Sequence, residues 1–304
     1  EHIVYSKKVS TLAMVCPVCK FKKTNLSIEV KDFEYDINKS ATYKQCKYCF
    51  SLYRTNPKSI ENLKKKNYPK KKYLPLTGSI FYDFFKSIYA KYEMKIILST
   101  LNFRYFYKKF IVLDIACGKG FLIKRFSKYS NFICFGSDLN IKTRKIDKVT
   151  FIKSKYNNLL LIKKLKPDLI IINNFIEHIE NYKGINSIIK CMKKNSSLAI
   201  ITPDADSQGR SFFKSYWSGY HAPRHKVIFT SKGIKKLFYK NKRINFSQVK
   251  IYDPFTNLMS IFNLFKDLKY NFLISKFIKI FLSFLYTFYN LRTKNKILLV
   301  AKKF

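Results

Sequence analysis

Phe110-Ile-Val-Leu-Asp-Ile-Ala-Cys-Gly-Lys-Gly-Phe121 is an apolar run, an acid at Asp114 and a Gly-x-Gly turn that leads into a helical pattern. The continuous apolar run is typical of a parallel strand that is buried on both faces. Gly118 and Gly120 lack Cβ, so they allow a sharp turn and a close approach of the backbone to a ligand. Because open α/β sheets bind ligands at the carboxyl ends of their strands, this stretch predicts a ligand loop.

Four more apolar runs follow the first, and helical patterns separate them. They are Phe132–Asp138, Val149–Ile152, Pro167–Ile179 and Ser197–Pro203. Strands that alternate with helices predict right-handed βαβ units and a parallel sheet. Asp138 ends the second run, where an acid can accept hydrogen bonds from both ribose hydroxyls of an adenosyl group.

Residues 75–304 resemble the class I S-adenosylmethionine (SAM)-dependent methyltransferases, and four motifs carry the resemblance. They are the cofactor loop Asp114-x-x-x-Gly118-x-Gly120, the ribose acid Asp138, the segment Asn174-Phe-Ile-Glu-His-Ile179 after the fourth strand, and Thr202-Pro-Asp204 after the fifth. The resemblance implies a Rossmann-like α/β fold with a seven-stranded, mostly parallel sheet whose last strand is antiparallel. It implies SAM as the cofactor, bound by Asp114, Ala116, Gly118, Gly120, Asp138, Leu139, Asn173 and Asn174.

One expected cofactor contact is missing from the sequence. The family usually has an acid near the adenine amino group after the third strand, but Lys153–Asn158 contains no carboxylate. Asn157 or a backbone carbonyl are the alternatives, and the adenine contact stays open.

Trp217-Ser-Gly-Tyr-His-Ala-Pro-Arg-His225 resembles a segment of one branch of the family, much of it associated with bacterial cell-envelope glycan and secondary-metabolite genes. Members of that branch also begin with a zinc ribbon and a Pro-containing connector. The branch implies O-methylation of a sugar, a lipid-linked glycan or another small molecule. It implies a cytoplasmic enzyme that can associate peripherally with the inner membrane surface.

Three residues are candidates for acid–base catalysis. A hydroxyl acceptor benefits from a nearby base, most often His. His178 follows the fourth strand with Glu177 beside it, and His225 ends the Pro-Arg-His segment. We predict that His178, His225 and Glu177 are catalytic; the alternative is that they make only local hydrogen bonds. Some relatives bind a divalent metal through an additional acid at position 174, which here is Asn174, so no catalytic metal is predicted.

Four of the seven cysteines form two Cys-x-x-Cys knuckles, Cys16/Cys19 and Cys46/Cys49. Four thiolates can close a tetrahedral structural zinc site. Two disulfides or a redox pair are the alternatives, but a SAM enzyme implies a reducing cytoplasm, in which disulfides are rare. Zinc is therefore the predicted metal.

The chain divides into a zinc-ribbon-like module (1–53), a basic Pro-containing linker (54–78) and the methyltransferase domain (79–304). Within the domain, Ser79–Thr100 predicts a helix whose Phe84, Phe85 and Ile88 cover the cofactor side, and residues 204–230 predict a lid or substrate loop. Val249–Tyr252 and Ile297–Val300 predict the last two strands.

An apolar helical insert, 255–294, separates these last two strands, and its strongest part is Asn271–Asn290. A buried or dimer-forming helix pair, insertion into an anionic membrane surface, and a lid over an apolar substrate all remain open. The sequence does not indicate the oligomeric state.

The formal net charge of +42 favours polyanionic partners and membrane surfaces. It keeps open a second hypothesis, an RNA methyltransferase that docks through its zinc ribbon and lysines. The absence of a basic–aromatic stacking surface in the ribbon sequence argues against that hypothesis. A third is a non-enzymatic binding module on a degenerate methyltransferase fold.

Overall fold

The computed structural model describes residues 15–33, 40–55, 80–101, 109–179, 181–239, 241, 243–267 and 293–304. The strands are β1 (Thr24–Lys31), β2 (Ser40–Cys46), β3 (Leu52–Arg54), β4 (Phe110–Ile115), β5 (Phe132–Asp138), β6 (Arg144–Ile146), β7 (Val149–Lys153), β8 (Leu169–Asn173), β9 (Ser197–Pro203), β10 (Val227–Ile228), β11 (Ile244–Tyr252) and β12 (Lys294–Lys303). The helices are α1 (Ile80–Thr100), α2 (Phe121–Phe126), α3 (Leu159–Leu165), α4 (Lys183–Cys191), α5 (Gln208–Phe213), α6 (Ser231–Leu237) and α7 (Pro254–Asp267).

The central sheet has the order β11-β12-β9-β8-β4-β5-β7-β6. Strands β9, β8, β4, β5 and β7 are mutually parallel, and β12 runs antiparallel to both β9 and β11. The Rossmann-like sheet with an antiparallel last strand is thereby confirmed. The expected seven strands are joined by an eighth, β6, which pairs antiparallel with β7 at the sheet edge. Its sequence, Arg-Lys-Ile, gives no apolar signal that could have predicted it.

Helix α1 lies where the sequence placed it, but it buries a different face from the predicted one. Phe84, Phe85 and Ile88 are 60%, 51% and 49% exposed. Among the described side chains of this helix, 83–100, the buried ones are Tyr89, Ala90, Glu93, Met94 and Ile97. When most positions of a helix are apolar, periodicity does not indicate which face packs against the sheet. Here the buried face includes an acid, Glu93.

The N-terminal cysteine module comprises the described residues from 15 to 55. Its sheet also contains one strand from a later part of the chain. Its sheet has the order β1-β2-β3-β10, and β10 comes from the segment 204–230. That segment was predicted as a lid or a substrate loop, and it is packed into the protein: Trp217 is fully buried and its indole donates to Asn295 Oδ1 at 3.2 Å. The division of the chain at residue 53 stays a prediction.

The apolar insert is described only in part. Residues 254–267 form α7, whereas Asn271–Asn290 lies outside the described residues. No helix in the described ranges is long and apolar enough to cross a bilayer.

Candidate active site

The glycine loop lies between β4 and α2, at the carboxyl edge of the sheet. Ala116, Gly118 and Gly120 all have positive φ, of 57°, 53° and 74°. A Cβ on Gly120 would lie 2.6 Å from the Phe151 ring, so packing requires glycine there. A Cβ on Gly118 would meet nothing within 4 Å. The backbone at Gly118 therefore borders open space, which a ligand can occupy.

Asp138 ends the neighbouring strand β5 and faces this loop. Its Oδ2 accepts from the Gly118 N–H at 3.1 Å, and its Oδ1 accepts from the Asn140 N–H at 2.8 Å. The carboxylate is half-buried, and a carboxylate has about four lone-pair sites, so it retains acceptor capacity for ribose hydroxyls. Leu139 beside it is 55% exposed.

A cavity of about 200 Å³ opens beside the loop. Its lining comes from α1, the glycine loop and the end of β8: Lys86, Tyr89, Ala90, Glu93, Asp114, Ala116, Cys117, Phe121, Leu122, Asn173 and Asn174. The ends of β4 and β8 meet here because these strands are parallel neighbours, with Ile115 opposite Ile172.

Buried acceptors dominate the floor of this cavity. Asp114 is 3% exposed, and burial, followed by the nearby Glu93, raises its pKa well above the usual range. Glu93 is 4% exposed; burial raises its pKa, although Lys296 and Lys86 oppose the shift. The Asn173 amide donates to Glu93 Oε2 at 2.9 Å. Glu93 Oε1 and Asn173 Oδ1 have no hydrogen-bond partner among the described residues.

Glu93 belongs to a buried ionic network that the sequence did not predict. Lys296 Nζ, on β12, lies 3.7 Å from Glu93 Oε1 and 3.1 Å from Asp253 Oδ2. Burial would lower the pKa of Lys296, but the two acids outweigh it and raise that pKa. The network joins three elements far apart in sequence, so no local spacing could have indicated it.

The candidate catalytic residues lie on a 3₁₀ turn, Ile176–His178, that follows β8, and on the loop that ends at His225. The sequence predicted all three. In the structure, one ring nitrogen of each histidine and one carboxylate oxygen of Glu177 all lie within 4.8 Å of one another. His225 Nε2 is 3.9 Å from Glu177 Oε1, and the His178 and His225 ring centroids are 4.7 Å apart.

These three side chains differ in accessibility. Glu177 is fully buried and accepts from Thr202 Oγ1 at 2.9 Å; burial raises its pKa to about 7. His225 is 4% exposed, and burial, followed by the neighbouring His178, lowers its pKa well below the usual value. His178 is only half-buried. Among the three, His178 is thus the one that an acceptor can reach.

The N-terminal cysteine module holds the loop 221–226. Tyr43 OH donates to the His225 carbonyl at 2.7 Å, and the Arg54 guanidinium donates to the Pro223 carbonyl. On the opposite side, the Lys226 N–H donates to the Glu177 carbonyl at 2.8 Å. No motif or spacing in the sequence indicated roles for Tyr43 and Arg54.

The four predicted metal ligands meet in one cluster. Cys16 Sγ lies 3.7 Å from Cys49 Sγ, and Cys19 Sγ lies 3.4 Å from Cys46 Sγ. All four cysteines are free thiols. Zn–S bonds of about 2.3 Å put tetrahedral thiolates roughly 3.8 Å apart, so this donor set fits a zinc ion.

A larger groove, of about 1010 Å³, lies between the knuckles and the helices α4 and α6. It contains neither the glycine loop nor a buried acid. The smaller cavity is the better cofactor candidate because the positive-φ loop and the acceptors converge there.

The chain is similar to a known protein family. A protein-family model described as a methyltransferase domain matches residues 79–249. No curated protein matches the chain in sequence.

Solved structures with a similar fold share little sequence with this chain. The plantazolicin methyltransferase BamL, solved with a triazolic desmethylPZN analog and SAH, is 16% identical over 81% of this chain and 89% of its own, with a TM-score of 0.43. Phosphoethanolamine N-methyltransferase 2 from Haemonchus contortus is 16% identical over 69% and 52%, with a TM-score of 0.43. A cyclopropane-fatty-acyl-phospholipid synthase-like protein from Lactobacillus casei is 10% identical over 72% and 92%, with a TM-score of 0.46. Likeness at this level does not identify an acceptor.

Proposed function

The chain belongs to the methyltransferase family whose domain model matches residues 79–249, and from this premise we propose that it transfers a methyl group from SAM to a hydroxyl acceptor. The observation that carries the proposal is the meeting of two features at one sheet edge. The glycine loop with Asp138 follows β4 and β5, and the turn with His178 follows the adjacent strand β8.

The adenosyl half of SAM would lie along the open side of the glycine loop. The ribose hydroxyls would donate to the Asp138 carboxylate, and the exposed Leu139 would cover the adenine ring. Support comes from the open space at Gly118 and from the half-buried position of Asp138. The adenine amino group has no predicted carboxylate partner, as the sequence of 153–158 indicated.

The methionine half would enter the cavity of about 200 Å³. SAM carries a sulfonium and an ammonium there, and the cavity offers Glu93, Asp114 and the unpartnered Asn173 oxygen as buried acceptors. A cation beside buried carboxylates offsets the desolvation that raises their pKa values. Lys86, which also lines the cavity, would pair with the methionine carboxylate. Ala116 and Asn174 complete the backbone around this end.

The reaction is an in-line displacement at the methyl carbon, and SAM supplies the electrophile. The protein's part is to hold the acceptor oxygen in line and to take its proton. His178 would accept that proton, because it is the accessible imidazole. Glu177 and His225 would act as positioning residues, since burial separates them from any acceptor.

Zinc would be held by Cys16, Cys19, Cys46 and Cys49. The metal would cross-link the two knuckles, whose module of about 40 residues has too small a core to be stable alone. It lies outside the methyl-transfer chemistry.

The acceptor we favour is a sugar or a lipid-linked glycan, with another small molecule as the broader class. Support comes from the Trp217–His225 segment and its branch resemblance. A cytoplasmic enzyme at the inner membrane surface would meet such an acceptor, with 255–294 as the membrane contact.

One structural observation favours the second candidate, an RNA methyltransferase. The sequence of the ribbon showed no basic–aromatic interleaving, but the fold creates some. Lys232 Nζ lies 4.6 Å from the Tyr48 ring centroid and 5.2 Å from that of Phe50. Exposed rings between lysines can stack on bases. The third hypothesis, a non-enzymatic binding module on a degenerate methyltransferase fold, predicts that the chain does not bind SAM.

The test is tritium transfer from [methyl-³H]SAM to two acceptor pools, a chloroform–methanol extract of bacterial envelope lipids and total RNA. We expect alkali-stable label in the lipid extract and none with the His178→Gln variant. Label in RNA alone would replace the glycan acceptor by the second candidate. Label in neither pool would contradict both.

A further inference from the structure

We propose that the N-terminal cysteine module sets the tautomer and the orientation of His178, through Tyr43 and Arg54 as positioning residues. The inference rests on the proposed function in one respect, because it takes His178 as the base. Its structural part, the control of an imidazole by a module some 130 residues earlier in the chain, stands independently of the reaction.

Three successive backbone carbonyls of the His225 loop connect the cysteine module to His178. The Pro223 carbonyl accepts from the Arg54 guanidinium, and the His225 carbonyl accepts from Tyr43 OH at 2.7 Å. The Arg224 carbonyl between them lies 3.4 Å from His178 Nδ1. The module therefore fixes the peptide units on both sides of the one that faces His178.

This contact selects a protonation form of the ring. A carbonyl can only accept, so of the two neutral tautomers the Arg224 oxygen favours the one that carries its proton on Nδ1. In that tautomer Nε2 carries the lone pair, and Nε2 is the atom that would take the proton from an acceptor hydroxyl. A rotated Arg224 carbonyl would remove the preference and leave His178 as a mixture of tautomers, of which part would present N–H to the acceptor.

Burial makes the two module residues hard to replace. Tyr43 is fully buried, Arg54 is 8% exposed and His225 is 4% exposed, so water has little access to their carbonyl partners. A carbonyl that loses its donor in such a place is left unsatisfied, and the loop relaxes to find another. The distance of 3.4 Å to His178 is already long for a hydrogen bond, so a small relaxation breaks it.

The module is itself anchored at the end of the loop and on the segment that follows it, which gives the two residues a fixed frame. The Arg54 N–H donates to the Lys226 carbonyl at 2.9 Å, and β3 pairs with β10. Farther along the same segment, Thr230 Oγ1 donates to the carbonyl of the cluster residue Cys49 at 2.5 Å. The cysteine cluster thus lies one hydrogen bond away from the segment that carries β10.

The test uses Tyr43→Phe in the full-length chain with S-adenosylhomocysteine present. The ring stays and keeps its ring contact with Tyr220, at 5.3 Å between centroids. The hydroxyl donor is lost, and with it the hydrogen bond to the His225 carbonyl and a longer one, of 3.4 Å, to the Tyr220 carbonyl. Long-range ¹H–¹⁵N imidazole spectra report the tautomer of His178, assigned with His178→Gln. We expect a single Nδ1–H form in the wild type and a mixture in the variant. Methyl transfer to the labelled acceptor pool should fall about tenfold, with the SAM Kd unchanged within about twofold in calorimetry.

Thr55→Val is the matched control. It removes another hydroxyl of the same module, which donates to the Thr42 carbonyl at 3.2 Å and does not contact the loop. We expect wild-type His178 spectra and transfer rates. If Tyr43→Phe does not fold, Arg54→Lys provides the second variant, because it keeps the charge and loses the planar guanidinium.

The two ways to fail are distinguishable. A pure Nδ1–H form of His178 in Tyr43→Phe, or equal effects of Tyr43→Phe and Thr55→Val on the spectra, overturns the inference. Undiminished methyl transfer by His178→Gln overturns His178 as the base, and hence that part of the proposed function, whatever the spectra show.

Discussion

At the scale of single residues, the two glycines of the cofactor loop have different reasons to be glycine. Gly118 borders open space, whereas Gly120 is pressed against the Phe151 ring. Both have positive φ, where a side chain costs about 1–2 kcal/mol.

We therefore expect Gly118→Leu to remain folded, with a loss of about 1–2 kcal/mol, and to block SAM binding by filling the ligand's space. Gly120→Ala should lose more stability, because strain and a clash add up. Urea unfolding and calorimetry with SAM would check the pair. Tight SAM binding by a folded Gly118→Leu variant would contradict this assignment of the loop.

Glu93 supports a second prediction at this scale. In the proposed binding mode it would accept from the ammonium group, so Glu93→Gln should weaken S-adenosylhomocysteine binding by about 1.5–3 kcal/mol, the usual worth of a hydrogen bond to a charged group. The same substitution should barely affect an analogue that lacks the α-amino group. Calorimetric titration of the wild type and Glu93→Gln with both ligands completes a double-mutant-type thermodynamic cycle, which isolates the contact between Glu93 and the amine. Equal losses for both ligands would show that Glu93 does not contact the amine.

The two ends of the cofactor site were predictable from the sequence to very different degrees. Asp114 and Asp138 lie at the carboxyl ends of apolar strands and Gly118 follows one of them, so their place at the sheet edge follows from parallel pairing alone. Glu93 lies in an apolar helix, and its partners Asn173 and Lys296 come from distant strands. Only the tertiary fold brings these together.

At the scale of elements, the turn Ile176–His178 places a carboxyl group in a fully buried position. The pKa of Glu177 is raised from its usual 4.5 to about 7, so the folded protein keeps this proton at pH values where the unfolded chain has lost it. Stability from this group is present below about pH 4.5 and is lost as the pH rises through about 7.

The glutamine in Glu177→Gln is neutral at every pH in this range. At about pH 8 the variant should be more stable than the wild type, by on the order of 3 kcal/mol, and at about pH 4.5 the gain should vanish. Urea unfolding at the two pH values measures the difference, and Thr202→Val serves as the control for the hydrogen bond at 2.9 Å. An equal gain at both pH values would show that titration of Glu177 is not the cause.

Elements with a simple pattern were predicted well, and those whose role depends on packing were not. The strand Ser197–Pro203 is buried at all seven positions and has the predicted bounds. Helix α1 exists as predicted, but its buried face is set by the acid Glu93 and by contacts with β12, which periodicity does not show. The segment 204–230 has the length of a lid, yet Trp217 and β10 tie it to two other elements.

At the scale of the whole molecule, a zinc ion would cross-link the two knuckles of the N-terminal cysteine module, whose sheet includes β10 from the segment 204–230. The fit of four thiols within 4.8 Å of one another predicts about one zinc per chain, and Cys46→Ser should lower this to near zero. Cys191→Ser, at a half-buried thiol outside the cluster, should keep the zinc. Elemental analysis gives the metal content, and thermal unfolding should show a lower Tm only for Cys46→Ser. Equal zinc in both variants would exclude the cluster as the site.

The net charge of +42 acts on every polyanion, so it does not distinguish between acceptors. What distinguishes this molecule is the position of its candidate site. The glycine loop and the half-buried His178 lie at one edge of the central sheet, next to the second sheet, β1-β2-β3-β10, of the cysteine module. The family model confirms the methyltransferase prediction that the motifs made from the sequence. The shared sheet could not be predicted, because β10 is only two residues long.

The most direct test of the central claim is a calorimetric titration of the full-length chain with SAM, repeated on Asp138→Ala. We predict one site per chain, and a Kd about 10- to 100-fold weaker in the variant, because hydrogen bonds to a charged carboxylate are worth about 1.5–3 kcal/mol. A folded wild-type protein that does not bind SAM, or an Asp138→Ala variant that binds it equally well, would contradict the account.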